Sequence, residues 1–426
     1  MCVIGPIGNH PSTRYQVCVA NPPNQGASVL TSHSAACVVA SGLMKRDSKT
    51  ERLAIIYPKA IGDFMFVLPA LHTIRQAMPN VHLTLVAKRK QAPLAEPQKG
   101  ILADEVLCMG GDISWWDIRK KLRALGVDTV VDMAGNDQSG LIMAWRGGKR
   151  MRPHRQDCKG SCALYSPFAK PMLRHPQGRH RVEELLTIAQ QLGATESICS
   201  FKLRIPDRAI EASEKMIAAN DLHSGSVIVL NLGASRDSKR WPVYHFKTLT
   251  KSLIKQGHRV VLTGAHAFKF DGNYDCKTVE QFSQDGLIDG KNCIDLITDA
   301  ALPPDVHLQR DTHFLRYSKI PRITIGNDTG PMQIAGSVGD DAKNATISLF
   351  GPTNWGRYAP YDPSRSFPDN PKGTWNRVLC INADCGPTGT NEACKCYRKK
   401  CSHKKCMESL SPESVMKTVN AMVNTA

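Results

Sequence analysis

Leu53-Ala54-Ile55-Ile56-Tyr57-Pro58-Lys59-Ala60-Ile61-Gly62-Asp63 decides the fold class. Its first five residues form a short apolar run, the pattern of a parallel strand buried on both faces. Pro58 to Asp63 then make a turn, and from Phe64 to Met78 apolar residues recur at helical spacing. Pro79-Asn80 stops that helix, and Val81 to Ala87 reads as a second strand. Strand, loop, helix and strand make the unit of a doubly wound parallel sheet.

The same grammar continues outward. Glu105–Cys108 and Thr129–Met133 read as strands, with a basic helix, Ile118–Leu125, between them. Trp145 to Arg181 carries ten Lys/Arg against one acid, Asp157, and is rich in Pro, Gly and His. It is expected to be a long loop with short helical pieces. Helices are expected at Val182–Leu192 and, as a connector, Pro206–Asn220. Val227–Asn231 then restarts the pattern, followed by a turn to Pro242, a helix Tyr244–Gln256 and a strand Val260–Thr263. Ile323–Asn327, Asp328-Thr329-Gly330 and a helix Pro331–Ser337 repeat it, and Ala345–Phe350 is the last clear strand. Two successive halves of this kind predict an α/β protein with two Rossmann-like domains facing across a cleft. The expected division is a leader at 1–50, an N-terminal domain at 51–205 and a C-terminal domain at 206–426. Residues 1–46 contain no Asp or Glu and no periodic pattern. They read as a disordered leader, or as a reading frame extended upstream of a start at Met44.

The chain has 426 residues, 42% hydrophobic and 22% charged, which is too apolar for global disorder. No stretch reaches the ~20 apolar residues of a membrane-spanning helix. A net charge of +17 favours anionic partners without choosing among nucleic acid, phospholipid, acidic glycan and phosphorylated substrate. No helix-turn-helix, zinc-finger or RNA-binding signature supports the first of these. Fifteen cysteines, nine of them scattered, read as reduced thiols of a cytosolic protein.

Three motifs carry chemistry. Gly62 lets a backbone approach closely, and the helix N-terminus beside it offers N–H groups. Asp63 is either that helix's cap or a carboxylate placed at the strand edge to take a proton from a hydroxyl. In Ser235-Arg236-Asp237-Ser238-Lys239-Arg240-Trp241-Pro242, three cations within five positions suit a pyrophosphate, with Lys239 as a point charge and Arg236 or Arg240 as a forked donor. The plainer reading is a solvated basic turn, with Trp241 packing the loop. At Asp328-Thr329-Gly330, backbone N–H groups could cradle phosphate; Asp328 itself would cap, contact ribose or orient Lys239.

In this order and spacing the motifs resemble the ADP-heptose:lipopolysaccharide heptosyltransferases. The likeness runs from about Arg52 to Val423. It rests on Gly62-Asp63 with Leu68-Pro69-Ala70-Leu71, Lys239-Arg240-Trp241-Pro242, Asp328 to Met332, Leu349 to Thr353 and the closing cysteine segment. The resemblance implies a GT-B fold and an inverting, metal-independent transfer of heptose from ADP-heptose to the lipopolysaccharide core. It implies Asp63 as the base and Lys239 as the group that stabilises the departing diphosphate. Gly62, Ser235, Arg236, Arg240, Asp328, Thr329, Gly330 and Gln333 would bind the donor. Where the family continues with His, this chain has Gln333, which donates a hydrogen bond but carries no charge. The family's short Gly-x-x-x-Glu donor segment has no clear counterpart in Gly264–Lys291. Lys59, Arg146, Lys149, Arg150 and Arg152 would meet an anionic lipid-borne acceptor at the cytoplasmic face of the inner membrane, and no nucleic acid is expected.

No cofactor is required on this reading. Cys380, Cys385, Cys394, Cys396, Cys401 and Cys406 lack a Cys-x-x-Cys pair and read as structural thiols, with a metal held by Cys385, Cys394, Cys396, Cys401 and Cys406 as the lesser alternative. The second functional reading keeps the fold with another nucleotide sugar or a protein acceptor. A non-catalytic nucleotide-sugar-binding protein ranks below it, because Asp63 and Lys239 are both present. A dinucleotide oxidoreductase would need Gly-x-Gly-x-x-Gly after the first strand, which Ala60-Ile61-Gly62 does not supply.

Overall fold

The structure, a computed structural model, describes residues 51–143, 148–153, 170–172, 180–197, 202–223, 225–264, 272–298, 302–320, 322–337, 344–361, 376–380, 401 and 403–424. The first sheet holds β1 (Arg52–Ile56), β2 (His82–Lys88), β3 (Glu105–Met109), β4 (Thr129–Asp132), β5 (Lys149–Pro153) and β6 (Lys170–Met172). The second holds β7 (Val227–Asn231), β8 (Arg259–Thr263), β9 (Cys293–Asp295), β10 (Arg322–Asn327), β11 (Asn344–Phe350) and β12 (Asn376–Cys380). The strand orders are β3-β2-β1-β4-β5-β6 and β12-β11-β10-β7-β8-β9, and every pairing is parallel. Counted within its own half, each sheet has the order 3-2-1-4-5-6. The strand direction of winding therefore reverses between β1 and β4 and again between β7 and β10, where α/β sheets open a ligand crevice at their carboxyl ends.

The central strands are apolar because helices cover both faces. Leu53 to Ile56 and Val227 to Leu230 are at most 1% exposed. The helix Ile61–Ala77 buries Phe64 to Leu68 against the first sheet. Helix Val243–Lys255 lays Phe246, Leu249 and Leu253 on the second. An apolar cluster that includes Leu94, Leu203, Ile205, Phe314 and Leu315 joins the halves. The Leu203 N–H donates to Tyr317 Oη at 2.6 Å, and Gln309 Nε2 donates to the Pro93 carbonyl at 2.6 Å.

Three expectations are corrected. The stretch 145–181 is not simply a loop with helical pieces: its described residues include β5 and β6, which extend the first sheet beyond β4. Lys149 to Pro153 offers a single apolar residue, Met151, so its strand is set by pairing with Val131 rather than by an apolar run. Ala345–Phe350 is not the last strand, since β12 pairs beyond β11. Helix Pro304–Arg316 was not expected, because its buried face carries His307, Arg310 and His313 and shows little apolar periodicity. Among the described residues no helix is long and apolar enough to cross a membrane. The leader expected at 1–50 lies outside the described residues.

Candidate active site

The crevices of the two sheets face each other. Helix Ile61–Ala77 leaves the carboxyl end of β1, and helix Gly330–Gly336 leaves that of β10. They meet at two glycines. A Cβ on Gly62 would lie 3.1 Å from Gly330 Cα, and one on Gly330 would lie 3.2 Å from Gly62 N. Two side-chain-free positions are what let these turns touch. The third residue of the first helix is Asp63, whose Oδ2 accepts a long 3.4 Å bond from the Ala60 N–H. That bond caps weakly and leaves most of the carboxylate's capacity for other partners.

Across the contact, Lys239 Nζ lies 2.5 Å from Asp328 Oδ2, with side chains 12% and 9% exposed. The loops that carry this pair are stitched together by the Asn327 side chain. Asn327 Nδ2 donates to the Leu232 and Gly233 carbonyls, while Asn327 Oδ1 accepts from the Trp241 N–H. Thr329 Oγ1 donates to Asn231 Oδ1 at 2.9 Å. Trp241 is fully buried, its Nε1–H donating to the Leu410 carbonyl at 2.7 Å. The C-terminal segment thus braces the loop: Lys404 and Arg240 both hold Asp237, the loop's own acid. Arg240 Nε also donates back to the Ala234 carbonyl, whereas Ser235 and Arg236 are exposed.

Gln333 is 4% exposed. Its Nε2 donates to the Tyr358 carbonyl at 2.6 Å, and its Cγ would meet a Cβ on Gly62 at 3.3 Å. The amide therefore joins Gly62 to the segment Trp355–Tyr361. That segment crosses to the first half through an ion cluster. Glu184 accepts from Arg181 at 2.6 Å and from Arg357 at 2.7 Å, while Arg181 also donates to the Met133 carbonyl at the end of β4. His180 donates from Nε2 to the Ala359 carbonyl at 2.7 Å and stacks on Tyr361 at 4.8 Å. Its other nitrogen accepts from the Val182 N–H, which fixes the tautomer. Phe66, one turn beyond Asp63, packs edge-on against His180.

Two predictions arise here. Glu184→Gln removes the charge that balances a guanidinium only 7% exposed, and is expected to lower stability by about 2 kcal/mol in a denaturant titration. The pH profile gives the second. Burial holds the His180 imidazole down at about 4, whereas the unfolded chain takes up its proton near 6.5. Between those values the unfolded state binds more protons, so this contribution is intact above pH ~6.5 and lost as pH falls toward ~4. Thermal unfolding of a His180→Gln variant should show a shallower pH dependence in that window.

The remaining candidates sit apart from the contact. Lys59 is half-buried in the turn before Asp63, and Lys149 and Arg150 are half-buried on β5. Arg152 is 4% exposed and close enough to Asp132 to act on its carboxyl, which burial raises despite hydrogen bonds from Gly135 and Ser139. Arg146, Cys385, Cys394 and Cys396 lie outside the described residues. Cys401 Sγ is 3.9 Å from His403 Nδ1, and Cys406 packs beside Gly351. Among the described residues no three His, Cys, Asp or Glu side chains cluster as metal ligands.

One residue that motif reading missed is Asp275, in the first turn of the helix Gly272–Gln284. It is 4% exposed, and its Oδ1 would lie 2.1 Å from a Cβ on Gly233 and its Oδ2 2.8 Å from one on Gly264. A carboxylate therefore sits at the carboxyl ends of β7 and β8, in the stretch where no donor residue had been assigned.

Residues 115–372 match the profile of glycosyltransferase family 9 (heptosyltransferase). Lipopolysaccharide heptosyltransferase 1 of Pseudomonas aeruginosa is 22% identical over 390 residues, 87% of this chain and 98% of that protein. The family 9 glycosyltransferase of Veillonella parvula superposes with a TM-score of 0.64 at 19% identity, over 91% of this chain and 100% of that one. Escherichia coli ADP-heptose lipopolysaccharide heptosyltransferase II does so with 0.61 at 17%, over 88% and 99%. The architecture they share with this chain is the GT-B fold.

Proposed function

The chain belongs to glycosyltransferase family 9, and from that premise we propose that it transfers heptose from ADP-heptose to a lipopolysaccharide core precursor. The observation that carries the proposal is the meeting of the two crevices at Gly62 and Gly330, with Asp63 on one side and the Lys239–Asp328 pair on the other. A glycosyl transfer between two bound sugars needs that arrangement: a base beside the acceptor and a cation beside the leaving group. Relatives whose names specify ADP-heptose and lipopolysaccharide support the substrates.

On this reading Asp63 takes the proton of an acceptor hydroxyl as its oxygen bonds to the anomeric carbon. The bond from that carbon to the diphosphate oxygen breaks on the opposite face, so configuration inverts. Lys239 neutralises the charge that develops on the departing ADP, electrostatics that need no metal. Asp328 holds the ammonium in place beforehand, so little reorganisation accompanies the reaction. Exposed Arg236 adds positive charge on the donor side, and Ser235, Arg240, Thr329, Gly330 and Gln333 shape that wall. Lys59 and, from a greater depth, Arg152 favour an anionic acceptor on the other, whereas Lys149 and Arg150 enter β5 at the amino end of the sheet. On this reading the acceptor is lipid-borne and the enzyme works at the cytoplasmic face of the inner membrane.

Gln333 gives a second reading its weight. Its amide is spent on the Tyr358 carbonyl, so no imidazolium faces the donor at this position. A GT-B transferase for another nucleotide sugar or a protein acceptor would show the same frame.

The test is ADP release from purified protein given ADP-heptose and heptose-deficient lipopolysaccharide, with each component omitted in turn. Acceptor-dependent release with a heptose mass increment on the lipid supports the proposal. Tight ADP binding without release shifts the case to the second reading.

A further inference from the structure

Helix Trp115–Ala124 follows the carboxyl end of β3, so it begins on the crevice edge of the first sheet. Ser114 caps it, its Oγ accepting from the Asp117 N–H while Asp117 bonds back to Ser114. Ile118 and Leu122 are fully buried against the sheet. At 100° per residue Trp116, Lys120 and Arg123 form the stripe facing away from those two, with Arg119 half-buried on the flank. Trp116 is 47% exposed, a large apolar side chain facing solvent at the rim of the crevice. Arg119 lies 4.9 Å over its ring and 5.8 Å from that of Trp115.

The stripe is continued by a neighbouring strand end. Arg89 and Lys90 are exposed where β2 stops. Arg89 Nη1 would lie 3.0 Å from a Cβ on Gly111, so its guanidinium crosses the turn that leads into the tryptophan helix. Five cations and an exposed indole therefore occupy one edge. The acids nearby are Asp117, committed to the cap on the helix flank, Asp112 in the turn, and exposed Glu96, which like Arg89 acts on the Cys108 thiol of β3.

We propose that this edge, centred on Trp116, Arg119, Lys120 and Arg123, docks the protein on an anionic phospholipid surface. Indole rings settle at the headgroup level, where their apolar body and N–H are both accommodated. Arg and Lys beside them meet lipid phosphates, each worth roughly fivefold in partition. A soluble acidic partner would account for the cations and leave the indole unexplained. The surface rests on the reading of a lipid-borne acceptor, and it would present the crevice mouth to that lipid.

The experiment is cosedimentation of the full chain with phosphatidylcholine vesicles, with and without phosphatidylglycerol, alongside quenching of tryptophan fluorescence by brominated lipid. Binding is expected to require phosphatidylglycerol and to weaken with salt. The triple variant Arg119→Gln, Lys120→Gln, Arg123→Gln should lower partition on the order of 100-fold. Trp116→Ser should lower it about tenfold and remove most of the quenching. Both variants should keep the parent's melting temperature and its turnover of a delipidated acceptor. Failure of the parent to bind phosphatidylglycerol vesicles overturns membrane docking by this edge, as does parent-like binding by both variants. Absence of turnover with every acceptor, with vesicle binding intact, would count against the heptosyl-transfer reading and leave the docking surface standing.

Discussion

An Asp63→Asn enzyme is expected to bind ADP as its parent does and to turn over about a thousandfold more slowly. The substitution keeps the side chain's size and one hydrogen-bond acceptor, so the 3.4 Å contact to the Ala60 N–H survives. What it removes is the charge, and with it the ability to hold the hydroxyl proton. If the residue only capped its helix, the loss would appear as stability, up to about 1 kcal/mol, with rates within tenfold of the parent. The two roles therefore separate in one experiment that pairs single-turnover rates with calorimetric ADP binding. The geometry favours the larger kinetic effect, because the contact of Gly62 with Gly330 aims the start of this helix at the opposite crevice.

How much of this was legible in the sequence depended on whether a residue's partner was local. Leu53 to Ile56 and Val227 to Asn231 could be read because a strand buried on both faces must be continuously apolar. The order of motifs along the chain was legible for the same reason: each turn follows its own strand. β5 was not, because Lys149-Arg150-Met151-Arg152-Pro153 has no apolar run and forms a strand only when β4 offers it a partner. Glu184 and Arg357 lie 173 residues apart, and no spacing rule links two such charges. Asp275 was hidden differently. It sits within a stretch that matched no donor pattern, and its relevance rests on two glycines, Gly233 and Gly264, that let a carboxylate lie against the backbone. A glycine one or two residues past each of two adjacent strands, Asn231-Leu232-Gly233 and Thr263-Gly264, was the available signal. Gln333 stood out as a departure from a motif, yet only the fold shows that its amide reaches Tyr358.

Lys239→Ala should be damaging in two separable ways. It removes the cation that would meet the leaving diphosphate, a loss of about 10²- to 10³-fold in turnover. It also leaves the Asp328 carboxylate, 9% exposed, without its partner at 2.5 Å, which costs about 3 to 5 kcal/mol of stability. The second effect can masquerade as the first if the variant is partly unfolded under assay conditions. The double variant Lys239→Ala, Asp328→Ala resolves this, because removing both charges removes the desolvated orphan. It is expected to recover most of the stability of the parent in a urea titration while turnover stays depressed. Recovery of both together would mean that the pair merely holds two loops in place. Recovery of neither would mean that Asp328 does more than orient the lysine, and would direct attention to its neighbour Thr329, which already bonds Asn231.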